Sequence, residues 1–126
     1  LYNTPPVFPI YALALVTDWI KAEGGLSAIS TRNAAKADLV YTAIDTSDGF
    51  FTCPVEPNSR SVMNAVFTLP DDSLTKAFLA GAQERGLLGL GGHRSVGGCR
   101  ASLYNAVPLE SAQALVSWMQ DFRRAN

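Results

Sequence analysis

The stretch Gly91-Gly92-His93-Arg94-Ser95-Val96-Gly97-Gly98-Cys99-Arg100 organises the chain around it. Six of the ten glycines fall between positions 86 and 98, with the only histidine among them. Glycine at this density lets backbone reach left-handed conformations and approach a ligand closely. Arg94 and Arg100 stand six positions apart, and each guanidinium can fork onto two oxygens of a carboxylate or phosphate. The stretch therefore reads as an anion-binding loop. A solvated turn between strands is the competing reading, because the glycine spacing matches no P-loop or dinucleotide fingerprint.

Apolar alternation frames the loop. Residues 87–90 are expected as one strand and 99–104 as a second, with Arg100, Ser102 and Tyr104 on one face and Cys99, Ala101 and Leu103 on the other. A hairpin over 87–104 then carries the loop at its tip and projects Arg100 from its second strand. Residues 62–69 place Met63, Ala65, Phe67 and Leu69 on one face of a half-buried strand, 50–53 form a shorter strand, and 54–60 are loop. Pro70-Asp71-Asp72 opens a helix that buries Leu74, Ala77, Phe78 and Ala82 and stops at Gly86. Pro108 and Glu110 start the last helix, with Leu109, Ala112, Val116 and Met119 inward. At the other end, Asn3-Thr4-Pro5-Pro6 is extended, since residues before proline avoid the helical region. A helix over 10–22 follows, apolar nearly all round, which predicts packing against a further domain or partner. A second helix over 26–43 carries Leu26, Ile29, Asn33, Ala37, Val40 and Ile44 on its buried face, with Arg32, Lys36 and Asp38 off that face. Helices combined with short hairpin-linked strands predict an α+β (α/β) fold: a short, mainly antiparallel sheet with helices packed on one side.

At 126 residues and 13.5 kDa the chain has enough length for a core of its own. Its 48% hydrophobic content and mean hydropathy of +0.10 suggest surfaces covered by another subunit or domain. A net charge of -1 with no basic stripe argues against nucleic acid as a partner. The apolar run 11–16 is too short to cross a bilayer and no signal peptide opens the chain, so no membrane association is expected. Cys53 and Cys99 are too few for a disulfide framework, which fits a reducing, cytoplasmic setting. The chain starts at Leu1 and enters mid-pattern, as a piece of something longer would. No metal site is expected.

Three stretches carry a family resemblance. The run Gly-His-Arg-Ser-Val-Gly-Gly-Cys-Arg-Ala-Ser-Leu-Tyr-Asn-Ala at 92–106, Tyr2-Asn3-Thr4-Pro5-Pro6, and Asn58-Ser59-Arg60-Ser61-Val62-Met63-Asn64 resemble the phosphoserine aminotransferases. These are class V, fold-type I enzymes dependent on pyridoxal 5'-phosphate, homodimers with a large cofactor domain and a small C-terminal domain. The resemblance implies that residues 1–25 are a lead-in segment and interface helix closing the large domain, and that 26–126 form the small domain. It implies amino transfer between L-glutamate and 3-phosphohydroxypyruvate, giving O-phospho-L-serine in serine biosynthesis, with a related phosphorylated substrate in pyridoxine synthesis.

Residue by residue, the resemblance gives Asn3 and Thr4 contacts to the cofactor phosphate across the dimer interface. His93 and Arg94 match residues that hold the substrate phosphate, or the distal carboxylate of glutamate. A dianion arriving there would favour a protonated His93. Arg100 matches the arginine that grips the substrate α-carboxylate, while Arg60, Asn64 and Tyr104 take structural roles. Gly91 stands where a lysine is expected, and Cys99 where a larger apolar residue is usual. None of the lysines, Lys21, Lys36 and Lys76, lies in the cofactor motif, and each is expected on a helix's polar side or end. No catalytic residue is therefore expected in this chain, which on its own should not transaminate. The alternatives are a non-catalytic anion-binding regulatory module and a plain dimerisation module.

Overall fold

Local signals set most elements of this computed structural model, which describes residues 2–126. In chain order they are α1 (Val7–Ala22), α2 (Gly25–Asp45), β1 (Asn64–Phe67), α3 (Asp72–Glu84), β2 (Cys99–Ser102) and α4 (Leu109–Ala125). A single 3-10 turn, Pro57–Ser59, lies in the expected loop. The Asp71 side chain caps α3 by accepting from the amides of Ser73 and Leu74, both at 2.8 Å. The chain divides into two compact units, one reaching to Thr31 and the other spanning Arg32–Asn126, the division falling within α2.

In the first unit α1 has no buried residue, and Phe8, Ile10, Leu13 and Leu15 are exposed. Its apolar side chains therefore lie open among the described residues. Ile29 is buried as expected, but Leu26, in the first turn of α2, is 77% exposed.

The second unit is built on β1 and β2, which pair antiparallel with Ala65 opposite Ala101, Val66 opposite Arg100 and Phe67 opposite Cys99. Alternation buries Ala65, Phe67, Cys99 and Ala101 together and leaves Arg100 and Ser102 on the other face, as the sequence pattern required. Phe67 meets Phe51 and Phe78 edge-on at 5.7 and 5.8 Å. Phe78 stacks on Trp118 at 5.7 Å and meets Phe122 at 5.3 Å, so α3 and α4 cover the same side of the sheet. On α4 the buried residues are Ala112, Leu115, Trp118, Met119 and Phe122; Leu109 and Val116 are only half-buried.

Two expected strands do not form. Residues 87–90 stay outside the sheet because the Leu87 amide bonds back to the Ala82 carbonyl at 2.9 Å, and Gly89, at a φ of 73°, breaks the extended path. Residues 50–53 are reduced to one bridge between Thr52 and Thr68. There the Ser47 hydroxyl takes the Phe51 amide at 2.9 Å.

The larger departure is Lys36. Expected on a polar face, it is fully buried, with Nζ donating to the carbonyls of Leu103, Tyr104 and Val107 at 3.1, 2.7 and 2.9 Å. Its three N–H bonds satisfy three carbonyls in the turn after β2, an exchange side chains on the turn itself do not make. Burial lowers the ammonium's pKa below its ordinary value, and the Arg32 charge pushes the same way. Beside it Asn33 donates to Asn105 Oδ1 at 2.8 Å, so two polar residues of α2 hold the segment that leaves β2.

Two stability changes follow from this packing. Lys36→Met keeps the bulk but orphans buried carbonyls, and thermal unfolding should show a loss of about 1–3 kcal/mol. Gly81→Ala brings a Cβ within 2.6 Å of Trp118 Cζ2. Chemical denaturation should then show about 1–3 kcal/mol of destabilisation from overpacking.

Candidate functional site

The glycine loop stands on a short antiparallel arm. The Arg100 amide donates to the Leu90 carbonyl at 2.8 Å, Gly91 and Cys99 form a bridge, and the Gly92 amide donates to the Gly98 carbonyl at 2.9 Å. Gly92 must lack a side chain, since a Cβ there would lie 1.9 Å from the Gly97 carbonyl oxygen. The expected hairpin thus holds at its tip and is lost along 87–90.

At the tip the amides of Val96 and Gly97 both donate to the His93 carbonyl at 2.8 Å. The Ser95 amide donates to His93 Nδ1 at 3.3 Å, and Ser95 Oγ lies 2.7 Å from the same nitrogen. These amides are committed within the turn, so an anion at the tip would meet side chains rather than a cradle of backbone N–H groups. His93 and Arg94 are exposed, and Arg100 is half-buried on β2.

The arginines divide by whether they have partners. Arg60 donates to both carboxylate oxygens of Asp45 at 2.6 and 2.7 Å and lies 4.7 Å over the Tyr41 ring. The pair raises the Arg60 pKa and holds the Asp45 carboxyl below its ordinary range. Arg123 reaches Asp48, Arg124 reaches Asp121, and Arg85 lies 3.9 Å over Trp118 while bonding the Gly81 carbonyl. Among the described residues, neither Arg94 nor Arg100 directs its guanidinium at a carboxylate or carbonyl; Arg100 Nε is buried without a hydrogen-bond partner, as is Nε of Arg60, whose terminal nitrogens Asp45 takes. An unsatisfied buried donor on a permanent cation is costly unless a ligand completes it.

The remaining expected positions fall into place more simply. Asn64 accepts from the Ser102 hydroxyl at 3.2 Å across the strand pair, and Tyr104 is exposed after β2. Cys99 fills the core, and burial pushes its thiol up to about 12, which makes it inert. Cys53 is also a free thiol. Asn3 and Thr4 are exposed on the extended segment before α1, in the unit that does not contain the loop. A cleft of about 310 Å³ lined by Leu87, Leu88, Ser102 and Leu115 includes none of His93, Arg94 or Arg100.

Sequence reasoning passed over Ser95, whose position two residues after His93 was a usable signal for a side chain bonded to the local turn. It also passed over Lys36, although Asn33, Lys36, Ala37 and Val40 share one helical face. Among the described residues no helix is long and apolar enough to cross a membrane, and no cluster of metal-ligating side chains occurs.

Comparison with known proteins extends this picture. The family model for aminotransferase class-V matches residues 1–115. Over 124 residues the chain is 60% identical to a phosphoserine aminotransferase of Geobacillus kaustophilus, covering 98% of this chain and 34% of that one. The solved phosphoserine aminotransferase from Bacillus circulans subsp. alkalophilus superposes with a TM-score of 0.93 at 50% identity, over 98% of this chain and 34% of its own. A PLP-bound phosphoserine aminotransferase from Trichomonas vaginalis gives 0.87 at 44% identity, over 95% and 34%. The chain thus spans 34% of the length of these relatives, and the agreement bears out both the resemblance and the α+β fold class. Since the matched span takes in the loop, both strands and the start of α4, the chain belongs to the class-V aminotransferase family.

Proposed function

We propose that this chain supplies the substrate-anion side of a phosphoserine aminotransferase, which passes an amino group between L-glutamate and 3-phosphohydroxypyruvate to give O-phospho-L-serine. The observation that carries the reading is the pair of guanidiniums, Arg94 and Arg100, which among the described residues have no acidic partner, whereas Arg60, Arg123 and Arg124 are paired. The chain's relatives at 60% and 50% identity are phosphoserine aminotransferases, which supports the same chemistry.

In this reading Arg100 forks onto the α-carboxylate shared by both amino acids. Its strand fixes the guanidinium more firmly than a loop could, which orients the substrate Cα. Arg94 and His93 hold the far anion, phosphate in one half-reaction and the distal carboxylate of glutamate in the other. Residues 1–25 close the large cofactor domain and 26–126 form the small domain of a cytoplasmic homodimer. Two free thiols accord with a reducing compartment.

Pyridoxal phosphate fits this chain at one end only. Asn3 and Thr4 are exposed neutral donors suited to its phosphate, which they would reach across the dimer interface. Lys36 has its ammonium committed to three carbonyls and Lys21 is paired with Asp18. Lys76 stands exposed on α3, outside the cofactor motif; in this reading the amine that holds the cofactor comes from elsewhere in the enzyme, and this chain alone does not transaminate. When bound, the cofactor supplies the electron sink for bond breaking at the substrate Cα.

Steady-state kinetics on the full-length enzyme tests the assignment. Arg100→Ala should lower kcat/KM about 10- to 100-fold for both L-glutamate and O-phospho-L-serine, the range for removing hydrogen bonds to a charged group. Arg94→Ala should fall hardest on the phosphorylated substrate. Unchanged kinetics for both substrates in both variants would refute the roles.

A further inference from the structure

We infer that Ser95 is a positioning residue that holds the His93 ring in its neutral form protonated on Nε2, so that the loop tip meets an anion with one fixed positive charge and one neutral donor. The inference deepens the function proposed above and rests on it for the identity of the anion.

The tautomer follows from which atoms can donate. A backbone amide has no lone pair to offer, so the Ser95 N–H lying 3.3 Å from His93 Nδ1 requires that nitrogen to accept. With Nδ1 as acceptor, the Ser95 hydroxyl 2.7 Å away donates to it as well, and the ring proton sits on Nε2. The hydroxyl contact is the shorter of the two and carries most of the restraint. Protonating Nδ1 would set two N–H donors against each other and leave the Ser95 amide unpaired. The backbone is held independently, since the His93 carbonyl accepts from the Val96 and Gly97 amides at 2.8 Å. Ring and main chain are therefore fixed by different bonds, and Ser95 contributes the one that sets the ring's proton.

The chemical consequence concerns the ligand. Phosphate and carboxylate oxygens only accept, so the free edge of the ring must be an N–H. A ring with its lone pair on Nε2 would face them with repulsion. With the proton on Nε2 that donor is in place before any anion arrives. A tip carrying the Arg94 charge and a neutral donor suits both a phosphate dianion and the singly charged distal carboxylate of glutamate. A doubly cationic tip would favour the dianion strongly over its counterpart.

His93 is the only histidine in this 126-residue chain, so two-bond 15N–1H correlation spectra of the histidine-labelled chain read one ring. Wild type should show an unprotonated Nδ1 and a protonated Nε2. Ser95→Ala keeps only the longer amide contact, so both nitrogens should move part of the way toward the exchange average of the two tautomers, and Ser95→Thr, which restores the hydroxyl, should return them. In the full-length enzyme Ser95→Ala should raise the KM for O-phospho-L-serine about 3- to 10-fold with little change in kcat, the scale of one neutral hydrogen bond. Ser95→Thr should recover the wild-type KM. A wild-type ring protonated on Nδ1, an unchanged KM in Ser95→Ala, or a threonine variant as impaired as the alanine one would each overturn the inference. Failure of the function reading looks different: Arg94→Ala and Arg100→Ala would leave both substrates unaffected while the Nε2–H spectrum persisted.

Discussion

The two-strand ladder of Asn64–Phe67 with Cys99–Ser102 is the constraint on which the rest depends. Strand side chains alternate strictly, so sending Phe67, Cys99 and Ala101 into the aromatic core obliges Arg100 to point the other way. A slip of one residue would drive the guanidinium in among Phe51, Phe78 and Trp118, where an unpaired charge is prohibitive. The apolar core thereby aims a charged side chain on the opposite face of the strand. The arm that follows register outward, from Leu90 and Arg100 to Gly92 and Gly98, places the loop tip by the same logic.

Cations in the second unit serve two purposes, and burial with partners tells them apart. Lys36 replaces solvent for three carbonyls where the chain turns away from β2, and Arg60 ties Asp45 near the end of α2 while covering Tyr41. Lys36 has its ammonium matched by carbonyls, and Arg60 has both terminal nitrogens matched by Asp45, although its Nε is buried without a partner. Arg100 differs in its terminal nitrogens: it is half-buried on β2 and, among the described residues, meets no carboxylate, while its Nε is buried and unpartnered like that of Arg60. Buried donors seldom stay unpaired in native proteins.

The first unit shows the same principle in apolar form. α1 is hydrophobic around its circumference and buries none of its residues. With Phe8, Leu13 and Leu15 exposed, the helix has surface to offer that its own unit does not cover.

What the sequence determined by itself was everything written in short-range periodicity. The four helices, the alternating faces of 62–69 and 99–104, the Asp71 cap, and the glycine loop with His93, Arg94 and Arg100 were all legible, because each depends on neighbours two to four positions apart. Tertiary structure decided which side chains found partners. It took Lys36 from an expected polar face into a bond with a carbonyl 67 positions away, denied 87–90 a place in the sheet, and left Arg100 Nε unpaired. It also put the Ser95 amide and hydroxyl on one ring nitrogen of His93. Hydrogen-bond satisfaction is a property of the finished packing, and no local pattern encodes it.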